Sequence, residues 1–154
     1  MKRDITLRVN GREENLNIDD ADTLLDALRD GLKLWSVREG CGVGACGTCT
    51  VLMDGSPVSS CFLLAARAAG HEITTLEGLS DGHALHFIQE AFVAERALQC
   101  GYCTPGFVLS VKALLDESPN PSDDEIREYL SGNLCRCAAY ADILRAVRAA
   151  QAKL

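Results

Sequence analysis

Eight cysteines in two tight sets constrain this 154-residue chain more than any other feature. The first set is Cys41-x4-Cys46-x2-Cys49, with Cys61 following after eleven intervening residues; the second is Cys100-x2-Cys103 followed by Cys135-x-Cys137. Three thiols converging from one short loop need turns with positive φ and close approach of backbone to sulfur. Gly40, Gly42, Gly44 and Gly47 supply that freedom within eight residues. Main-chain N–H groups freed by such a loop can donate hydrogen bonds to the sulfurs. Eight cysteines in 154 residues, about 5%, fall below the density of a secreted disulfide scaffold. The opening residues MKRDITLRVN carry no apolar stretch of the kind a Sec signal peptide needs, so the expected compartment is the cytoplasm. Clustered cysteines in a reducing compartment bind metal or do redox work.

The rest of the composition narrows the classes. Fifteen basic residues against 22 acidic ones give a net charge of -7, which speaks against nucleic acid or an anionic membrane as partner. Hydrophobic residues at 47% and charged residues at 24% are ordinary for a globular chain. No apolar run approaches the roughly 18 residues of a membrane span, so no direct membrane insertion is expected. The length suits one domain, or two small ones sharing a core.

Hydrophobic periodicity divides the chain near residue 77. Ile5, Leu7 and Val9 alternate with polar residues, Asn10-Gly11 is a hairpin turn, and Leu16 and Ile18 alternate on the return. Thr23 caps a short predicted helix through Leu24, Leu25, Ala27 and Leu28 that Gly31 closes. Thr50 to Met53, the turn Asp54-Gly55, and Val58 to Cys61 read as a second hairpin. Beyond residue 77 the spacing turns helical. Leu85, Ile88, Ala91 and Phe92 share a face, with Ser80 or Asp81 as N-cap. Thr104 is a cap with Pro105 at the first helical position, ahead of Phe107, Val108, Val111, Leu114 and Leu115. Ser118-Pro119-Asn120-Pro121 breaks that helix, and Ser122 with Glu125 forms a capping box for the next, which carries Ile126, Tyr129 and Leu130. A last helix starts near Ala141. The expected domains are therefore 1–77 and 78–154, with four cysteines in each.

The C-x4-C-x2-C…C pattern is the plant-type [2Fe–2S] ligand spacing. On this reading Cys41, Cys46 and Cys49 come from one loop, and Cys61 closes the site from the end of a separate strand. Gly42-x-Gly44-x-x-Gly47 also matches a dinucleotide fingerprint, but that needs a helix after the loop, and the strand-like TCTVLM follows instead. The second set alone admits three readings: a thioredoxin-like C-x-x-C pair, a four-thiolate zinc site, or a second [2Fe–2S] cluster. The redox pair leaves Cys135 and Cys137 unused, and the neighbouring redox site favours a second cluster.

The runs REGCGVGACGTCTVLMDG (38–55), ITTLEGL (73–79), QCGYCTPGF (99–107) and SGNLCRC (131–137) resemble the small iron–sulfur subunit of the molybdenum hydroxylases. That family includes xanthine dehydrogenase, aldehyde oxidoreductase, carbon monoxide dehydrogenase and N-heterocycle dehydrogenases. The resemblance runs from the first strand to the last helix. It implies an α+β fold, a plant-type ferredoxin-like β-grasp domain followed by a four-helix bundle with two long and two shorter helices. It implies two [2Fe–2S] clusters: Cys41, Cys46, Cys49 and Cys61 hold the one nearer the acceptor, and Cys100, Cys103, Cys135 and Cys137 hold the one nearer the molybdenum cofactor. Gln99 and Cys137 carry over as pterin contacts. The cofactor would sit in a large partner subunit. A medium FAD subunit, or a cytochrome-type protein in flavin-free relatives, would take the electrons. Where the family often continues C-R-C with Thr-Gly-Tyr, this chain has Ala138, Ala139 and Tyr140. No ligand is lost, so the expectation is a tuned potential or an altered subunit contact.

Smaller features stay with plainer roles. Arg136, between two ligands, either bonds backbone and offsets cluster charge or is a surface arginine. Gln99 read without the family is a helix cap. His71, His83 and His86 are expected as loop or cap residues. Trp35 and Phe62 flank the first set as core or partner-facing surface, and Phe87, Phe92 and Phe107 are expected in the core. Asp123-Asp124-Glu125 is a helix N-terminus, where acidic side chains suit the dipole. No Ser/His/Asp set, P-loop or isolated carboxylate pair is present, so catalytic residues are expected to be none, and the chemistry is that of the clusters. A free-standing two-cluster ferredoxin and a structural zinc protein are the alternatives. Export to the periplasm with a signal-bearing partner is a second route for localisation.

Overall fold

In a computed structural model, which describes residues 1–80 and 82–154, a twisted five-stranded sheet is followed by a bundle of helices. β1 (Lys2–Val9) and β2 (Arg12–Asp19) form a hairpin whose two-residue turn places Asn10 at φ 52° and Gly11 at φ 76°, the left-handed pair that matches strand twist. β3 (Thr50–Met53) and β4 (Ser56–Ser59) repeat the device at Asp54-Gly55. β5 (Glu72–Thr74) lies between the hairpins, parallel to β1 and antiparallel to β3, giving the order β2-β1-β5-β3-β4.

Helix α1 (Leu24–Asp26) continues as a π-turn over Ala27–Gly31. Thr23 and Asp26 cap each other's backbone, so Asp26 completes a box the sequence shows only as a lone threonine cap. Leu24, Leu25 and Leu28 bury against Leu7, Val9, Val51 and Ile73 of the sheet. This is a ferredoxin-like β-grasp.

The second half holds α2 (Phe87–Ala94), α3 (Thr104–Glu117), α4 (Asp123–Tyr129) and α5 (Tyr140–Gln151), two long and two shorter helices. Their shared core includes Ile88, Phe92, Phe107, Val111, Ile126 and Val147. A third, small apolar cluster joins the halves, with Leu52 of β3 meeting Leu109 and Ala113 of α3.

Three expectations shift. α2 begins later than its apolar spacing suggests: its N-cap is His86, whose Nδ1 accepts from Ile88 N–H, while Gln89 answers at the His86 N–H. Leu85 therefore lies outside the helix and is exposed, Ser80 ends the preceding 3-10 turn instead of capping α2, and Asp81 falls outside the described residues. The first helical residue of α3 is Thr104 itself, with Cys103 at the N-cap and Pro105 one place further in. Phe92 and Phe107 are core, whereas Phe87 is only half-buried at its edge. No helix among the described residues is long and apolar enough to cross a membrane.

Candidate metal centres

The first loop threads from the end of the π-turn to β3. Cys41 and Cys46 sit half-buried on it, and Cys49 is buried beneath. Cys61 reaches the same place two residues past β4, on a single 3-10 turn (Ser60–Phe62), rather than from the strand end itself. The glycine-rich backbone wraps the sulfurs: the N–H groups of Val43 and Ala45 donate to Cys41 Sγ at 3.5 and 3.3 Å. Those two bonds, with Cys46 beside them, pull the Cys41 thiol down to about 7. Burial, with Cys49 alongside, pushes Cys61 up to about 11. A Cβ at Gly40 would stand 2.8 Å from Cys46 Sγ, so only glycine leaves the sulfur its place.

The second set lies on two facing loops. Cys100 and Cys103 precede α3; Cys135 and Cys137 precede α5. The Tyr102 N–H, and after it Cys137, hold the exposed Cys100 thiol below the usual range, and the charge of Arg38 acts the same way. Burial, then Cys135, pushes Cys103 up to about 12. The Cys135 N–H donates to the Tyr140 hydroxyl at 2.9 Å.

The eight thiols thus approach in four pairs, Cys41 with Cys46, Cys49 with Cys61, Cys100 with Cys137 and Cys103 with Cys135. Among the described residues no three Cys, His, Asp or Glu side chains close on one point, as a single ion would require. Four thiols at each place are the donor set of a binuclear core, so both sets fit a [2Fe–2S] cluster.

Contacts across the seam hold the two loops together. Asn133 Nδ2 donates to Gly47 O at 3.1 Å, and the Leu134 N–H to Cys46 O at 2.9 Å. Gly47 has φ 66°, and a Cβ there would stand 2.6 Å from both Asn133 Nδ2 and Gly132 O. Gly106, in the first turn of α3, presses against the Gly47 carbonyl so closely that a Cβ would overlap it. Between the loops lies a cleft of about 520 Å³ lined by Cys41, Cys46, Cys100, Cys103, Cys135 and Tyr140, so the two sites share one wall.

The remaining sequence candidates take separate places. Gln99 is exposed beside Cys100 and is not the cap of α3, whose N-cap residue is Cys103. Arg136 is exposed on the cleft rim. His71 pairs with Asp54 at 2.6 Å and His86 caps α2. Trp35 and Phe62 are surface, not core; Phe62 is 79% exposed and Val43, on the loop tip, 66%. The seam residues Arg38, Glu39, Tyr102, Asn133 and Gly106 carry no local sequence signal. All five stand only as flanking or intervening residues of the cysteine motifs.

Comparison with known proteins agrees with this geometry. Residues 7–76 match the model of a 2Fe-2S iron-sulfur cluster binding domain, and residues 75–148 that of a [2Fe-2S] binding domain. A β-grasp and a helical bundle, each matching such a domain, define the class: an iron–sulfur protein with two cluster-binding domains. The nicotine 6-hydroxylase small subunit of Paenarthrobacter nicotinovorans is 50% identical over 94% of this chain and 87% of its own length. The nicotinate dehydrogenase small FeS subunit of Eubacterium barkeri is 46% identical over 94% of this chain and 92% of its own. The crystal structure of quinoline 2-oxidoreductase from Pseudomonas putida 86 superposes with a TM-score of 0.94 at 42% identity, over 98% of this chain and 94% of that one. The chain belongs to the family of small iron–sulfur subunits of the molybdenum hydroxylase-type dehydrogenases.

Proposed function

We propose that this chain relays electrons from a molybdenum cofactor in a large partner subunit to FAD in a medium subunit, or to another acceptor, through two [2Fe–2S] clusters. Cys100, Cys103, Cys135 and Cys137 hold the cluster on the molybdenum side, and Cys41, Cys46, Cys49 and Cys61 the one on the acceptor side. Each cluster, when bound, supplies one-electron transfer. The observation that carries the reading is that the loops bearing the two cysteine sets face one cleft, lined by Cys41 and Cys46 of the first set and by Cys100, Cys103 and Cys135 of the second. Gln99 and Cys137 meet the pterin in this reading; both adjoin Cys100, Gln99 as its chain neighbour and Cys137 as its thiol partner.

The chain's own residues bind and orient. Val43 and Ala45 aim N–H groups at the Cys41 sulfur, where they favour added negative charge. Tyr140 fixes the backbone at Cys135. Exposed Phe62 and Val43 beside the first loop, and Leu134 and Tyr140 beside the second, offer apolar surface to partner subunits at the two ends of the relay. The division into 1–77 and 78–154 assigns one cluster to each domain, and the proposed compartment is the cytoplasm. The substrate is then selected in the large subunit.

The test is purification of the native complex through a tag on this chain, with metal analysis. A co-purifying large subunit carrying molybdenum, together with iron on this chain, is the expected result. A chain that purifies alone with its iron and no molybdenum would assign it to the free-standing ferredoxins.

A further inference from the structure

Arg38 stands on the N-terminal loop, yet its side chain serves the other site. Its Nη1 donates to Gly101 O at 2.5 Å and to Tyr102 O at 3.0 Å, the two carbonyls inside the Cys100–Cys103 turn. The guanidinium carbon lies 5.4 Å from the centre of the Tyr102 ring, and the Tyr102 hydroxyl returns across the seam to Glu39 O at 2.7 Å. A closed ring of contacts thus ties residues 38–39 to residues 101–102, sixty-odd positions apart in sequence.

Gly101 sits at φ 76°, and a glycine hinge leaves its peptide free to rotate unless something holds it. Arg38 holds that carbonyl and the next one together, and so fixes the turn that carries Cys100 and Cys103.

We propose that Arg38 is a positioning residue for the C-terminal cluster: by holding the Gly101 and Tyr102 carbonyls it fixes the turn that presents Cys100 and Cys103, and it brings a cation to that cluster from the opposite domain. The inference rests on the reading that both cysteine sets hold [2Fe–2S] clusters. Reduction adds negative charge to a cluster, and hydrogen bonds to its sulfurs and nearby positive charge stabilise the reduced form. Arg38 therefore raises the potential of the cluster on the molybdenum side while clasping the two loops. Lysine keeps the charge but offers a point donor in place of the planar fork that spans two carbonyls.

The experiment is an EPR-monitored redox titration of the complex with wild-type chain, Arg38→Met, Arg38→Lys and Tyr102→Phe, the C-terminal signal being the one that Cys100→Ser alters. In Arg38→Met the reduced-to-oxidised ratio of that signal at a fixed potential is expected to fall about tenfold, 59 mV lower for a one-electron couple. The N-terminal signal should move less. Arg38→Lys should recover part of the shift, and Tyr102→Phe, which leaves the peptide held, should stay within about twofold of wild type. An Arg38→Met complex with full cluster content and a C-terminal signal within twofold of wild type overturns the proposal. So does an equal shift in Arg38→Met and Arg38→Lys. If Arg38→Met does not retain its clusters, Arg38→Lys decides alone: a C-terminal signal lowered threefold or more against a steadier N-terminal one supports the role, and an unmoved one refutes it. Failure of the parent reading looks different, since the wild-type chain would then lack two signals before any substitution is made.

Discussion

Replacing Gly106 by alanine sets two physical effects against each other. In an ordinary helix interior the change stabilises by about 1 kcal/mol, because glycine is the poorer helix former. At this position the new Cβ overlaps the Gly47 carbonyl. That oxygen accepts from Thr50 Oγ1 at 2.7 Å, Asn133 Nδ2 at 3.1 Å and the Thr50 N–H at 3.2 Å. Making room costs about 1–3 kcal/mol as overpacking. Moving the oxygen weakens at least one of its bonds, about 1 kcal/mol more. Set against the helix gain, the net loss is about 1–3 kcal/mol. For a chain of this length each kcal/mol lowers Tm by roughly 2–4 °C, so a fall of about 2–12 °C is expected. The assay is thermal unfolding of the cluster-loaded chain, followed by circular dichroism and by visible absorbance, with both probes shifted because the seam joins both loops. An alanine variant as stable as wild type, or more so, would refute the claim that backbone contact at residues 47 and 106 sets the spacing of the two domains.

Three further perturbations follow from the same geometry. His86 accepts the Ile88 N–H through Nδ1, and burial, then the Lys112 charge, holds its pKa below the ordinary histidine value. The neutral form is favoured on folding, so its stabilisation is complete above about pH 6.5 and is lost as pH falls through the lowered folded value. Ile88 amide exchange should quicken below that range, and a His86→Asn variant should show no such step. Ala138 holds φ 60° on the exposed loop before α5; Ala138→Gly removes about 1–2 kcal/mol of left-handed strain, offset in part by about 0.4–1 kcal/mol of unfolded-state entropy, so Tm should rise slightly. A fall in Tm would mean the loop carries no such strain. In the cluster-free chain, iodoacetamide should modify Cys41 through a step near pH 7, whereas Cys61 and Cys103 still gain reactivity up to pH 10 and beyond. Mass spectrometry with uniform labelling across the three would contradict the hydrogen-bonding at Cys41.

Local chemistry made much of this molecule legible in the sequence. Asn10-Gly11 and Asp54-Gly55 specify their hairpins because few other residue pairs accept two left-handed conformations in succession. Ser122 and Glu125 announce α4 through a reciprocal cap. The cysteine spacing points to the two proposed donor sets because a compact cluster demands short loops. What escaped was decided at longer range or by unusual chemistry. α2 starts at a histidine cap, a residue outside the usual N-cap set, so the apolar repeat at Leu85 misled by a turn. Arg38 meets Tyr102, and Asn133 meets Gly47, across separations of 64 and 86 residues, and nothing in either segment alone encodes the other. Gly106 looks like a weak point in a helix until the carbonyl it faces is known. The family resemblance and the structural comparison agree over nearly the whole chain, 98% of it in the quinoline 2-oxidoreductase superposition.

Low-temperature EPR of the dithionite-reduced chain, with spins counted per protein, tests the central claim most directly. Two distinct signals approaching about two spins per chain are expected, one from each set of four thiols. A single signal would return Cys100, Cys103, Cys135 and Cys137 to zinc or thiol chemistry, and a colourless, metal-replete chain with no signal would contradict the account altogether.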